Sequence, residues 1–269
     1  IEMPMIAPKP DVEALTGGYR GTPVLQIEAD IFIDNWMIAR AIDQFAPDKP
    51  LVNARGALGD AALYAWGERL FIPLLHSALA TYKSRWDADF LADRKQVFPD
   101  VDFDTLEMAD PDRRSQVRAY LGAVQAQLAV SGLFLGGAEA DSWDIHVWGM
   151  VWMIYSALPD LVPFVEALPE LVAWYQRVEV LGIGVREDVT IEVAWDAIRS
   201  GYTQRLPDTP AEEPLSEWLG QAVHVSAGSA DRGSVAGRLL AVDHEQVVLA
   251  AEPLPGFEAQ VWFPRLRYH

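Results

Sequence analysis

The sequence predicts an α+β chain that is mainly α, with a long helical middle bracketed by a short mixed segment at the start and a β-rich segment at the end. Three observations carry this. Two β-rich runs around residues 24–33 flank a polar turn and lead directly into a helix. Apolar residues then recur at helical spacing from 54 to about 200, interrupted at a few polar or proline-rich points. After 214, short β-rich runs alternate with Gly, Asp and Pro turns. The divisions follow as 1–45, 46–203 and 214–269.

In the first segment, residues 1–5 read as a strand end and Pro8-Lys9-Pro10 as a loop. Residues 11–15 can form a short helix stopped by Gly17-Gly18, which suit a left-handed cap. Pro23 stands at the mouth of a strand, where a missing N–H does least harm and where a cis bond after Thr22 is affordable. Asp34 and Asn35 then open a helix whose Trp36, Met37, Ile38, Ala41, Ile42 and Phe45 form one apolar stripe. Either of the pair can be the N-cap, and the amides beyond it favour an anionic ligand group; plain capping without a ligand is the alternative. Arg20 stands close enough to this turn to reach a ligand carboxylate, or is simply solvated.

The order Thr22-Pro23-Val24-Leu25, hairpin, Asp34-Asn35, helix resembles the second half of the thioredoxin-like domain of glutathione transferases, and the likeness extends to about Gly201. It implies a partial thioredoxin-like domain, an all-helical glutathione-transferase-type domain and a small C-terminal β module that ordinary members lack. It further implies that Thr22, Pro23 and Val24 pair with the main chain of glutathione, that Asp34 and Asn35 take its γ-glutamyl end, and that Arg20 assists. A cis Thr22–Pro23 bond belongs to the same pattern. In the family a Tyr, Ser or Cys just after the opening strand activates the thiol. That strand would lie before Ile1, so the chain is expected to begin inside the domain, and no catalytic residue is assigned. Glutathione as co-substrate, a small hydrophobic electrophile and a homodimer are the family's implications; a cytoplasmic setting is the default expectation, since the first residues lack a basic-then-apolar signal pattern and no apolar run is long enough to span a membrane.

The helical middle reads as 54–82, with a break expected at Pro73, then 87–96, 110–130, 141–155, 168–180 and 188–200. Asp141 and Asp144 form an acidic capping box, matching one at the head of the family's buried helix. Their role is folding, and Asp144→Ala is expected to cost about 1 kcal/mol. Trp66 and Trp143 are candidates for a hydrophobic substrate pocket, while Trp148 and Trp152 read as core.

Composition narrows the function. The 269 residues carry 21 Lys and Arg against 39 Asp and Glu, a net charge of −18 that repels nucleic acid. No apolar run reaches membrane-spanning length. With no cysteine there is no thiolate chemistry within this stretch. The five histidines lack metal-binding helix spacing, and Asp100, Asp102 and Asp104 miss the Gly and the final Glu of a calcium loop, so no metal is expected.

Overall fold

The computed structural model describes residues 1–4, 6–52, 57–99, 101–107, 110–227 and 232–269. In chain order the elements are α1 (Pro10–Thr16), β1 (Val24–Ile27), β2 (Asp30–Ile33), α2 (Asn35–Phe45), α3 (Ala57–Tyr82), α4 (Ala88–Val97), α5 (Pro111–Ser131) and α6 (Ser142–Ala157). They continue with α7 (Val162–Glu166), α8 (Pro169–Glu179), α9 (Ile191–Ser200), β3 (Ala222–Ser226), β4 (Ser234–Val242), β5 (Gln246–Leu254) and β6 (Phe257–Pro264). Two compact units result. One comprises Ile1–Ala41, Asp89–Pro99 and Arg186–His269; the other comprises Ile42–Ala88 and Asp100–Val185.

The first unit is built on a six-stranded sheet in the order β1-β2-β6-β5-β4-β3. The expected β runs after 214 are all present, but they continue the sheet of the opening hairpin: β6 pairs parallel to β2, with Ile31 opposite Val261 and Phe32 opposite Trp262. The physical reason lies in β2, whose four residues are all buried and so need strands on both sides.

Period-two alternation sends neighbouring residues to opposite faces. Ile31, Ile33, Val261, Phe263, Val247 and Leu249 face a core that includes Leu15 of α1 and Ala194 and Ile198 of α9. Phe32, Trp262 and Val248 face a second core with Met37 and Ala41 of α2. In β4 the parity switches at a bulge between Leu239 and Ala241, so Leu239 and Val242 share a face although they are an odd number of residues apart. α1 ends on Gly17 at φ +77, as its glycines predict, and a Cβ added at Gly17 would already touch Ala251.

Buried at the start of β2 is Asp30, 1% exposed. It accepts hydrogen bonds from Trp262 Nε1 at 2.7 Å and from the Gln204 amide at 2.6 Å. Burial nevertheless raises its pKa, outweighing both donors.

The second unit is helical. Leu63, Leu70 and Leu74 of α3, Val117, Leu121 and Val124 of α5, Val147, Val151 and Ile154 of α6, and Leu171 and Trp174 of α8 share one core. Asp110 caps α5 through the amides of Asp112 and Arg113. α3 begins at Ala57, while 54–56 of the longer expected helix lie outside the described residues, as does Asp100 of the acidic loop. Pro73 is inside α3, and the helix runs on past it to Tyr82. α3 and α6 approach closely where Gly67 meets His146: a Cβ on Gly67 would lie 2.1 Å from His146 Nε2.

The acidic capping box at α6 is present. Asp144 accepts from the Asp141 amide at 3.0 Å, and also from the Leu135 amide at 2.9 Å and Trp174 Nε1 at 2.6 Å. A cap read from sequence is therefore also the anchor joining the loop before α6 to α8. Desolvation raises the Asp144 pKa despite three donors. One expectation fails: Trp152 is half exposed, because α6 turns Ile145 and Trp152, seven residues and two turns apart, outward together.

Candidate functional site

The site expected around the first hairpin lies wholly within the sheet-bearing unit. The Thr22–Pro23 peptide is cis, and both residues are exposed. They lead into β1, the end strand of the sheet, bonded to β2 on one side. Along β1 runs a cavity of about 610 Å³, lined by Thr22, Pro23, Val24 and Gln26 and walled by Val12 and Leu15 of α1 and Val193 and Ala197 of α9. Three of the residues singled out from sequence are thus gathered at one opening.

Asp34 resolves the choice of cap. Its backbone is left-handed at φ +78, and its Oδ1 accepts from the Trp36 amide at 3.0 Å, while Asn35 is the first residue of α2 and is exposed. The other carboxylate oxygen is engaged by side chains the sequence reading did not connect to it. Tyr268 Oη donates at 3.3 Å, Arg267 Nη2 stands at 3.5 Å and Arg232 Nη1 at 3.9 Å. With these partners around it, the Asp34 side chain is 9% exposed.

These partners arrive with the late strands. Arg232 precedes β4, and Arg267 and Tyr268 follow β6, with Arg267 held at φ +74. The terminal turn is pinned by reciprocal main-chain bonds between Ser226 and His269 and by Arg265 Nη1 on the Tyr268 carbonyl at 3.1 Å. Tyr268 is 1% exposed; burial, then the charge of Asp34, push its phenol far above the usual range. Burial opposes the charge of Arg232, yet the surrounding Tyr19, Tyr268 and Asp34 hold its pKa above normal. Tyr19, also buried, hydrogen-bonds Tyr268 and lies against Gly21, where a Cβ would come within 2.3 Å of its hydroxyl. The Asp34 cluster is so tied to the residue just before Thr22. Arg20 is partly buried, its amide bonded to the Arg232 carbonyl at 2.9 Å and its side chain passing beside Gly233.

In the helical unit, Trp66 and Tyr120 meet edge to face at 5.4 Å and line a groove of about 440 Å³ with Ala119 and Ala123. Trp143, like Trp66 and Tyr120, is partly buried against the helical core. Among the described residues no single helix is long and apolar enough to cross a membrane.

A hairpin entered through a cis proline, a capped helix after it and a following helical set define a glutathione-transferase-type fold. No family model matches the chain, and no curated protein matches it. Among solved structures, a GST-like protein from Pseudomonas syringae is 28% identical, covers 99% of this chain and 86% of its own, and superposes with a TM-score of 0.77. A glutathione S-transferase III in apo form (16% identity, 63% and 76% coverage, TM-score 0.43) and a glutathione S-transferase from Actinobacillus pleuropneumoniae (14%, 67% and 68%, 0.37) are too distant to carry an argument. The chain shares the fold of this GST-like protein over nearly its whole length.

Proposed function

We propose that this chain is a glutathione S-transferase-like protein that binds glutathione and conjugates or reduces small hydrophobic electrophiles with it. The observation that carries this reading is the cavity along β1, because Thr22, Pro23 and Val24, the residues matched to the family's glutathione edge, open onto it together. An extended tripeptide laid beside an end strand gains main-chain hydrogen bonds there, and the apolar walls from α1 and α9 exclude water from the thiol. Asp34 and Asn35 take the γ-glutamyl end and Arg20 assists. Trp66, with the groove beside Tyr120, serves the electrophile. The protein acts as a cytosolic homodimer.

A second reading is a glutathione-binding or interaction scaffold without turnover, and the filled Asp34 carboxylate favours it. Titration calorimetry with reduced glutathione, followed by turnover assays with a chlorinated aromatic and a peroxide, separates the two. Asn35→Ala is expected to weaken glutathione binding by about 1–3 kcal/mol. Unchanged affinity would return Asn35 to a purely structural place in the first turn of α2, and binding without turnover selects the scaffold.

A further inference from the structure

The loop from Gly17 to Thr22, which brings the chain to the cavity edge, is held from the late strands. A Cβ on Gly18 would lie 2.3 Å from the Ser234 carbonyl oxygen, and one on Gly233 would lie 2.3 Å from that of Gly18, so the two backbones are in contact. The Arg20 amide bonds the Arg232 carbonyl at 2.9 Å. Between these contacts sits Tyr19, 3% exposed, its amide donating to Thr16 Oγ1 at 2.9 Å and its carbonyl accepting from the same hydroxyl at 3.1 Å. Its phenol fills the space a side chain on residue 21 would need. A phenol has one hydrogen to give and lone pairs to receive, and the Tyr268 hydroxyl uses them all: it donates to Asp34 Oδ2 at 3.3 Å, accepts from Arg232 and is hydrogen-bonded to Tyr19. One buried oxygen thus joins Gly21, by way of Tyr19, to the residue that caps α2.

We infer that Tyr268 is a positioning residue for ligand binding: through Tyr19 on one side and Asp34 on the other, its hydroxyl sets the spacing between the Thr22 main chain and the start of α2. This rests on glutathione being the ligand and spanning those two places. Tyr268 is 1% exposed, so it acts through its partners and does not itself meet the ligand. A tripeptide that must satisfy both ends at once gains from each only when the two are already held at the matching separation, and loosening either adds an ordering cost to binding. The loop has little stiffness of its own, since it opens on two glycines, Gly17 and Gly18. The late strands supply that stiffness and so complete a site whose ligand contacts come from the early ones.

The test is calorimetric titration of the whole chain with glutathione, carried out well below the melting temperature of each variant. Tyr268→Phe keeps the ring and removes the oxygen, and it is expected to bind glutathione about tenfold more weakly than the unaltered chain. Tyr19→Phe should do the same. Because both hydroxyls act through one contact, the double variant should lose no more than either single one. Gly67→Ala, which lowers stability in the helical unit, controls for stability alone and should leave the affinity unchanged. Unchanged affinity in Tyr268→Phe overturns the inference, as does a double-variant loss equal to the product of the two single losses, or an equal loss in Gly67→Ala. Should Tyr268→Phe fail to fold, Tyr19→Phe decides: weaker binding supports the positioning role and unchanged binding overturns it. Failure of the unaltered chain to bind glutathione overturns the proposed function together with this inference, whereas binding that no tyrosine variant alters overturns the positioning role alone.

Discussion

The two compact units hold themselves together in opposite ways. In the helical unit, one core is assembled from α3, α5, α6, α7 and α8, and a buried carboxylate, Asp144, reaches nine residues back to Leu135 and thirty forward to Trp174. In the sheet unit, the second strand pairs with the last, and the corresponding anchor, Asp30, accepts from Trp262, 232 residues away. Both anchors are buried Asp side chains that take a Trp Nε1–H. What separates them is contact order: local patterns announce the first unit, whereas the second exists only once distant strands meet.

The contrast is broken most sharply at Asp144. Asp144→Ala removes the acceptor for three buried donors, two amides and the Trp174 indole, so a loss of about 3–5 kcal/mol is expected in chemical denaturation in place of the 1 kcal/mol of a simple cap. A loss near 1 kcal/mol would mean that the indole and the Leu135 amide find water instead, and the anchor would then be a cap only.

Gly67→Ala probes the packing of the same unit. The new methyl collides with His146 unless the imidazole turns away, so a cost of about 1–3 kcal/mol is expected in the same assay, with glutathione affinity unmoved. Stability equal to that of the unaltered chain would show that α3 and α6 separate freely at this point.

The smallest effect sharpens the comparison from the sheet side. Burial raises the Asp30 pKa, so between the ordinary carboxylate value and the folded value the folded chain binds more protons than the unfolded one. Its contribution is full below about pH 4 and is lost as pH rises through the folded pKa, with a slope of at most about 1.4 kcal/mol per pH unit. Asp30→Asn should flatten that part of a plot of melting temperature against pH. A steeper fall in the variant would contradict the raised pKa.

Much of the candidate site was legible in the chain. The Thr22-Pro23-Val24 run, the Asp34-Asn35 helix start and the Gly17 cap depend on residues within a few positions of each other, where backbone preferences decide the outcome. Arg232, Arg267 and Tyr268 were not legible as partners of Asp34. They are about 200 residues away, and no local pattern marks an arginine as facing one particular carboxylate. The one available signal was that the β runs after 214 needed a neighbour, and that alone does not choose β2. Trp152 was misassigned because an apolar residue at helical spacing reads as core until the neighbouring helices are known to cover one face only.

By itself, then, the sequence determined most of the elements, though not α7 or the irregular chain at 1–4, together with several caps, the mixed fold and the family resemblance, because these follow from periodicity, proline and glycine geometry and side chains that bond nearby amides. Only the tertiary structure decided that the terminal strands complete the opening hairpin's sheet, that Asp144 bridges to α8 and that Asp34 is already held by two arginines and a tyrosine. Those outcomes are pairings between residues far apart in the chain, set by which buried edges and charges must find partners when the whole unit closes.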